Sequence, residues 1–231
     1  VSGRSDFRFS PLRSGEVSEL TTHRLSVYLR CLQTLAREGA GTISSKDLAA
    51  RFHLNSAQIR KDLANFGEFG IRGVGYDVLS LRDAIVRILG LDEEKKVAIV
   101  GAGKLGLALA DYAGFNTGGF RVAALFDSDP ALAGIESHRG ARVHPMDQLE
   151  PLVRELGIEI GVLAIPPHAA QQAYDRLADA GVPAVLNFSP VRIALRPTVK
   201  IKSVDLKISL EALSYHLTRR KGGWKGGAKG S

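Results

Sequence analysis

Cysteine occurs once in the 231 residues, at Cys31, so no intramolecular disulfide can staple this chain and a thiolate metal cluster is excluded. The histidines His138, His144, His168 and His216 are scattered without ligand spacing, so no metal site is expected. Long apolar runs are equally scarce. None approaches the ~20 residues that cross a bilayer, and Val1 to Gly15 carries no apolar stretch of a secretory signal. A soluble, cytoplasmic chain with no membrane partner is the expectation. Positive charge, by contrast, is in excess: 31 Lys and Arg against 24 Asp and Glu give a net charge of +7, which points to a polyanionic partner. Part of that excess lies in the glycine-lysine stretch of residues 219–231, read as a flexible basic tail. The Ser-, Gly- and Pro-containing opening, 1–19, is read as a disordered arm.

With 45% hydrophobic and 24% charged residues the chain has the make-up of a globular protein, and its length suits two domains. The first is placed at 20–90. Leu25, Tyr28, Leu29, Leu32, Leu35 and Ala36 follow helical spacing between Thr22 and Glu38, and Gly39 stops the helix. Ser44 and Asp47 form a capping box for a second helix to about Phe52. His53-Leu54-Asn55 then turns into a third, Ser56 to Phe66, with Ile59, Leu63 and Phe66 on one face. Two short helices after a longer support make a helix-turn-helix pattern, although an ordinary solvated helix face has the same spacing.

The glycine-spaced stretch Gly67 to Asp77 favours the DNA-binding reading, because it alternates as a small β-hairpin wing would, with Arg72 at its tip. Ser56, Gln58, Arg60, Lys61 and Arg72 are therefore the expected DNA contacts, with Ser45 and Lys46 at the start of the preceding helix. Ser80-Leu81-Arg82-Asp83 is read as the cap of a linker helix to Gly90, where the domain boundary is set.

The second domain, 91–204, opens on Val97-Ala98-Ile99-Val100 running into Gly101-Ala102-Gly103-Lys104-Leu105-Gly106. A strand, a tight glycine turn and a helix N-terminus in that order cradle a pyrophosphate on backbone N–H groups. About twenty residues on, the apolar run Phe120 to Phe126 ends at Asp127, placed to accept from ribose hydroxyls and to repel a 2′-phosphate. A glycine turn that only packs helix on sheet is the plainer alternative. Further helices and strands follow: a helix from Pro145 to Leu156, a strand from Ile160 to Ile165, a helix from Ala169 to Ala180 and strands at Val182 to Phe188 and Val199 to Val204. The expected fold class is α/β, a winged helix-turn-helix domain followed by a Rossmann-like doubly wound parallel sheet. Ile165, Pro166, Pro167, Asn187, Phe188 and Ser189 should lie at the sheet edge that carries the glycine loop, as the nicotinamide half of the site. The last helix, 205–218, has Leu206, Leu210, Leu213 and Leu217 in a stripe that a core helix or a dimer contact would show equally.

Taken together, Gln58-Ile59-Arg60-Lys61-Asp62-Leu63, Phe66-Gly67-Glu68-Phe69-Gly70, Arg72-Gly73-Val74-Gly75-Tyr76, the glycine loop, Phe126-Asp127, Ala170-Gln171, Asn187-Phe188-Ser189-Pro190 and Val204-Asp205-Leu206 resemble the Rex family of bacterial redox-sensing repressors over about residues 20 to 218. The resemblance implies a homodimer that binds a palindromic double-stranded operator and leaves it when NADH binds, with NADH and NAD⁺ as its cofactors. It also implies a C-terminal dimerisation helix exchanged between subunits, and a switching network of Arg30, Tyr112 and Asp205.

Two rivals use the same glycine loop. An NAD-dependent oxidoreductase needs a substrate domain, and after the last strand only one helix and a tail remain, so no catalytic residue is expected. A CoA- or nucleotide-binding module is the other, and Asp127 argues against it.

Overall fold

The structure, a computed structural model, describes residues 17–71 and 73–221, with the helix backbone alone for 219–221. The chain divides into two compact units, 1–93 and 94–231. Arg72, residues 1–16 of the expected arm and residues 222–231 of the expected tail lie outside the described residues.

The N-terminal unit packs α1 (Glu19–Arg37), α2 (Ser45–Phe52), α3 (Ser56–Ala64) and α4 (Val78–Ile88) around one core. Leu25, Leu32 and Ile59, expected from the helical spacing, are fully buried in it, together with Leu48 and Ile85. Each start has a local cause. The Ser18 hydroxyl accepts from Thr21 N–H, Ser44 from Asp47 N–H and the Asn55 amide oxygen from Gln58 N–H. Asp47 completes no reciprocal box; its carboxylate accepts instead from the Ser44 hydroxyl, at 2.6 Å. The left-handed turn between α2 and α3 falls on His53, at φ 54°. The third helix is shorter than expected and ends at Ala64, with Phe66 buried beyond it. The fourth starts earlier, because Asp77 rather than Ser80 is its cap, accepting from Ser80 N–H at 2.8 Å.

The wing is not a self-contained hairpin. Ile71 and Gly75 form one antiparallel bridge, and the regular pairing joins β1 (Thr42–Ile43) to β2 (Tyr76–Asp77). Gly75, at φ +106°, lies so close to β1 that an added Cβ would stand 2.5 Å from the Ile43 carbonyl oxygen, which explains a glycine there.

The C-terminal unit is a six-stranded parallel sheet of β3 (Lys95–Val100), β4 (Phe120–Asp127), β5 (Arg142–Pro145), β6 (Ile160–Leu163), β7 (Ala184–Asn187) and β8 (Lys200–Ser203), in the order β5-β4-β3-β6-β7-β8. This is the strand order of a dinucleotide-binding fold, with its reversal between β3 and β6. The edge strand β5 has no counterpart in the sequence pattern; it takes only Pro145 of the helix expected from there, whose next turn, Met146–Gln148, is a 3₁₀ helix before α6 (Leu149–Leu156) begins. That helix and α7 (Pro167–Asp179) bury Leu149, Val153, Tyr174 and Leu177 against one sheet face. The other face carries α5 (Lys104–Asp111), which packs on β3 and β4. The β7–β8 connection has no helix, so on that face a 310 Å³ apolar hollow remains, lined by Phe115, Ile160, Leu186, Lys200 and Lys202 among others. The final helix α8 (Leu206–Lys221) is no core helix of its unit: Leu206, Leu210, Leu213 and Leu217 are 58–66% exposed.

Candidate nucleotide crevice and DNA-facing helix

Parallel strands direct their carboxyl ends to one edge, and the loops there form a crevice where the strand order reverses. Gly101 ends β3 at φ +101°, and a Cβ on it would stand 2.4 Å from the Ala164 carbonyl oxygen at the end of β6. Gly106, in the first turn of α5, packs still closer: its added Cβ would meet the Gly101 carbonyl oxygen at 1.7 Å. The N-cap of α5 is Gly103, which offers no side-chain hydrogen bond to the helix. The N-terminal N–H groups of α5 thus face the loop without a capping side chain, in an arrangement that favours an anion.

Asp127 closes the crevice from β4. Its Oδ2 accepts from the buried Ala102 N–H at 2.6 Å, and its Oδ1 accepts from Asp129 N–H at 2.9 Å. One carboxylate therefore ties the glycine loop to the strand end and, with two lone pairs per oxygen, keeps acceptor capacity for a ligand. Gly101, Asp127 and Ile165 line one 270 Å³ cavity with Phe126, Ser128, Met146, Ala169, Gln172 and Arg176. Arg176 is held by Glu150, Nε to Oε1 at 2.5 Å and Nη2 to Oε2 at 2.7 Å, and the hydrogen bond from this guanidinium keeps the Glu150 carboxyl below its usual range. Ser128, Met146, Gln172 and Arg176 carry no sequence motif; their only signal was position after β4, after β5 and on α7.

The other expected nucleotide residues do not line this cavity. Lys104 and Leu105 are exposed in the first turn of α5, and Pro166 and Pro167 are exposed after β6. Asn187 is fully buried and holds the β7–β8 connection: its Oδ1 accepts from Ser189 N–H at 2.8 Å and its Nδ2 donates to the Ser189 carbonyl at 3.0 Å. Phe188 is half-buried beside it. The Ser189 hydroxyl is buried with no hydrogen-bond partner, an unsatisfied group that invites a ligand.

On the N-terminal unit, Lys46, Arg60 and Lys61 are exposed, while Ser45, Ser56 and Gln58 are half-buried. Arg60 Nη1 donates to Ser45 Oγ at 2.8 Å, so these two expected contacts meet and join α3 to the start of α2. Gln58 does not simply project outward, because its Nε2 donates to Asp62 Oδ1 at 2.7 Å. Asp62 also accepts from Arg24 and Tyr28, a network that the sequence did not reveal.

Of the expected switching residues, Arg30 is exposed on α1, and Tyr112 is exposed after α5 with its ring edge-on to Phe115, centroids 5.7 Å apart. Asp205 Oδ1 accepts from Lys207 N–H at 2.8 Å and opens α8. His138, which had no evident partner in the sequence, meets Asp111, Nδ1 to Oδ2 at 2.7 Å. Among the described residues no group of three or more His, Cys, Asp or Glu is placed to hold a metal, and no helix is long and apolar enough to cross a membrane.

Comparison with known proteins agrees with the division into a DNA-facing and a nucleotide-facing unit. Residues 16–64 match a family model described as a putative DNA-binding protein N-terminus, and residues 92–191 match one described as a CoA binding domain. The redox-sensing transcriptional repressor Rex of Streptomyces griseus is 47% identical over 210 residues, covering 91% of this chain and 83% of that protein. Rex 1 of Thermotoga maritima is 44% identical over 205 residues, covering 89% of this chain and 98% of that one. Among solved structures, RSP, a Rex-family repressor, in complex with beta-NAD+ and operator DNA superposes with a TM-score of 0.85 at 37% identity, over 90% of this chain and 95% of that one. RSP in complex with beta-NADH gives 0.80 at 36% identity, over 90% and 97%.

Proposed function

The chain belongs to the Rex family of redox-sensing transcriptional repressors, and on that premise we propose that it binds a palindromic operator as a homodimer and releases it when NADH occupies the crevice of the C-terminal unit. It is a repressor rather than an enzyme, as its curated relatives are. Its task on DNA puts it in the cytoplasm.

The observation that carries the cofactor assignment is the fit of the β3–α5 turn to a dinucleotide. Two positions there exclude any Cβ, the helix N-terminus has no capping side chain, and a carboxylate stands at the end of β4. Gly101 to Gly106 would hold the pyrophosphate, Asp127 the ribose hydroxyls, and Ser189 with Ile165, Pro166 and Phe188 the nicotinamide end. When bound, the nicotinamide ring supplies a charge that differs between its two redox forms, cationic when oxidised and neutral when reduced. Closure of Ile165, half-buried Phe188 and exposed Pro166 over the ring would disfavour an unpaired positive charge, so this chain would select the reduced form.

Arg30, Tyr112 and Asp205 would couple crevice to DNA, since Asp205 is an acceptor that both a guanidinium and a phenol can seek, and exchange of its partner gives two discrete states. Homodimer formation has its own support: the exposed leucines of α8 and the uncovered apolar hollow beside β6–β8 are surfaces that a second copy would bury.

Titration of the operator complex with NADH, NAD⁺ and CoA in separate arms tests this reading. NADH should dissociate the complex at far lower concentration than NAD⁺, and CoA should not act. Release by CoA alone would return the crevice to a different ligand class. Asp205→Ala should keep DNA and NADH binding yet lose most of the coupling, and in the parent, operator must weaken NADH binding by the same factor as NADH weakens operator binding. Full coupling in Asp205→Ala would remove the relay.

A further inference from the structure

Asp62 is the one acid in α3, and a carboxylate on a helix that approaches phosphates repels them unless its charge is taken up. It is 1% exposed and accepts four hydrogen bonds: Oδ2 from Arg24 Nε at 2.6 Å and from the Tyr28 hydroxyl at 2.9 Å, Oδ1 from Arg24 Nη2 at 2.7 Å and from Gln58 Nε2 at 2.7 Å. Both α1 residues anchor it, and Arg24 neutralises it. Gln58 differs, because it belongs to α3 itself, one turn nearer the N-terminus, where a recognition helix meets base edges.

Burial alone would raise the Asp62 carboxyl, but the hydrogen bonds from Arg24, Gln58 and Tyr28 outweigh it and hold the group below its usual range, ionised. An ionised carboxylate has no proton to give and only accepts. Gln58 must therefore turn its NH₂ group to Asp62, since the flipped amide would set oxygen against oxygen.

We propose that Asp62 is a positioning residue for sequence readout: by holding the Gln58 amide nitrogen it makes the Gln58 carbonyl oxygen the atom offered to DNA. That acceptor selects a base whose major-groove edge presents an amino group, cytosine N4 or adenine N6, over guanine or thymine at the same place. This rests on the DNA-binding reading above.

The test uses the full chain and a duplex that the parent selects from a randomised pool, together with every single-base-pair variant of that duplex. The parent should prefer an amino-bearing base about tenfold at one position of each half-site. Gln58→Ala should lose that preference. Asp62→Asn, which puts a donor in place of one of the two acceptor oxygens and so loosens the hold on the Gln58 amide, should lose part of the same preference and keep the ratios at all other positions, while Tyr28→Phe should keep it. A merely structural role would weaken binding to all duplexes alike and leave the ratio at that position unchanged, which would overturn the proposal. Should Asp62→Asn not fold, proton exchange in the parent decides: the side-chain amide protons of Gln58 should exchange more slowly than those of exposed Gln148, and equal exchange would overturn it. A parent that selects no duplex at all would overturn the DNA reading and this inference together, whereas selection with an unchanged ratio overturns only the latter.

Discussion

Truncating Asp127 to alanine removes a carboxylate that ties down the glycine loop and that we propose also holds the ribose hydroxyls, and the two losses separate in the assay. In the cofactor-free protein its Oδ2 is the partner of the Ala102 N–H, at 2.6 Å, and Ala102 is 1% exposed. Leaving that buried donor unpaired costs about 1–3 kcal/mol. The second bond, to Asp129 N–H at 2.9 Å, is exposed, and water replaces it. At about 2–4 °C per kcal/mol for a unit of this size, calorimetry should show a fall in Tm of about 2–12 °C before any ligand is added. NADH affinity should drop further, by about 1.5–3 kcal/mol or about 10- to 150-fold, as charge-assisted bonds to the ribose hydroxyls go. Asp127→Asn keeps an oxygen for Ala102 but puts a donor where the other acceptor stood. It should regain most of the stability and only part of the affinity. An Asp127→Ala protein with the parent's Tm would show that the loop bond carries nothing, and a folded one with the parent's NADH affinity would take Asp127 out of the site.

Gly106→Ala forces a Cβ to 1.7 Å from the Gly101 carbonyl oxygen, so the β3–α5 turn must open and NADH binding should fall by at least about tenfold in titration calorimetry, with operator binding retained. Parent-like NADH affinity would refute the close packing. Arg60→Ala and Lys61→Ala should each weaken operator binding and spare NADH binding. A phosphate contact lowers the slope of log affinity against log salt by about one unit, a base contact costs about 1–3 kcal/mol at one operator position, and unchanged binding in both would remove α3 from the interface. Asp62 is held below its usual carboxyl range when folded, so it binds its proton more readily in the unfolded chain. Its stabilising share is therefore complete above the unfolded value near 3.8 and lost as pH falls below it. Denaturant midpoints of the parent should fall with acid in that window. Asp62→Asn should cost about 3 kcal/mol at neutral pH and flatten the acid dependence, and an equally steep acid loss in the variant would assign it to other carboxylates.

The sequence by itself determined what depends on a few neighbouring residues. Helix starts at Ser44 and Asn55 follow from side-chain oxygens three residues before the N–H groups they cap, and the core faces of α1 and α3 follow from helical spacing. The glycine loop was legible for the same reason, since a turn too tight for a Cβ writes itself as glycine at fixed spacing. Weak local signals misled: the edge strand β5 buries little beyond Val143, and Asp77 outcompetes Ser80 as the cap of α4. Tertiary structure alone decided what joins distant positions. It paired Thr42 with Asp77, brought Arg24 to Asp62 across 38 residues and Arg176 to Glu150 across 26, and turned Gln58 from a free polar residue into one held by a carboxylate. It also settled the leucine stripe of α8, whose spacing is the same inside a core or at an interface, by leaving it exposed. Periodicity states which face of a helix is apolar, but only the packed chain determines whether anything of its own remains to cover that face.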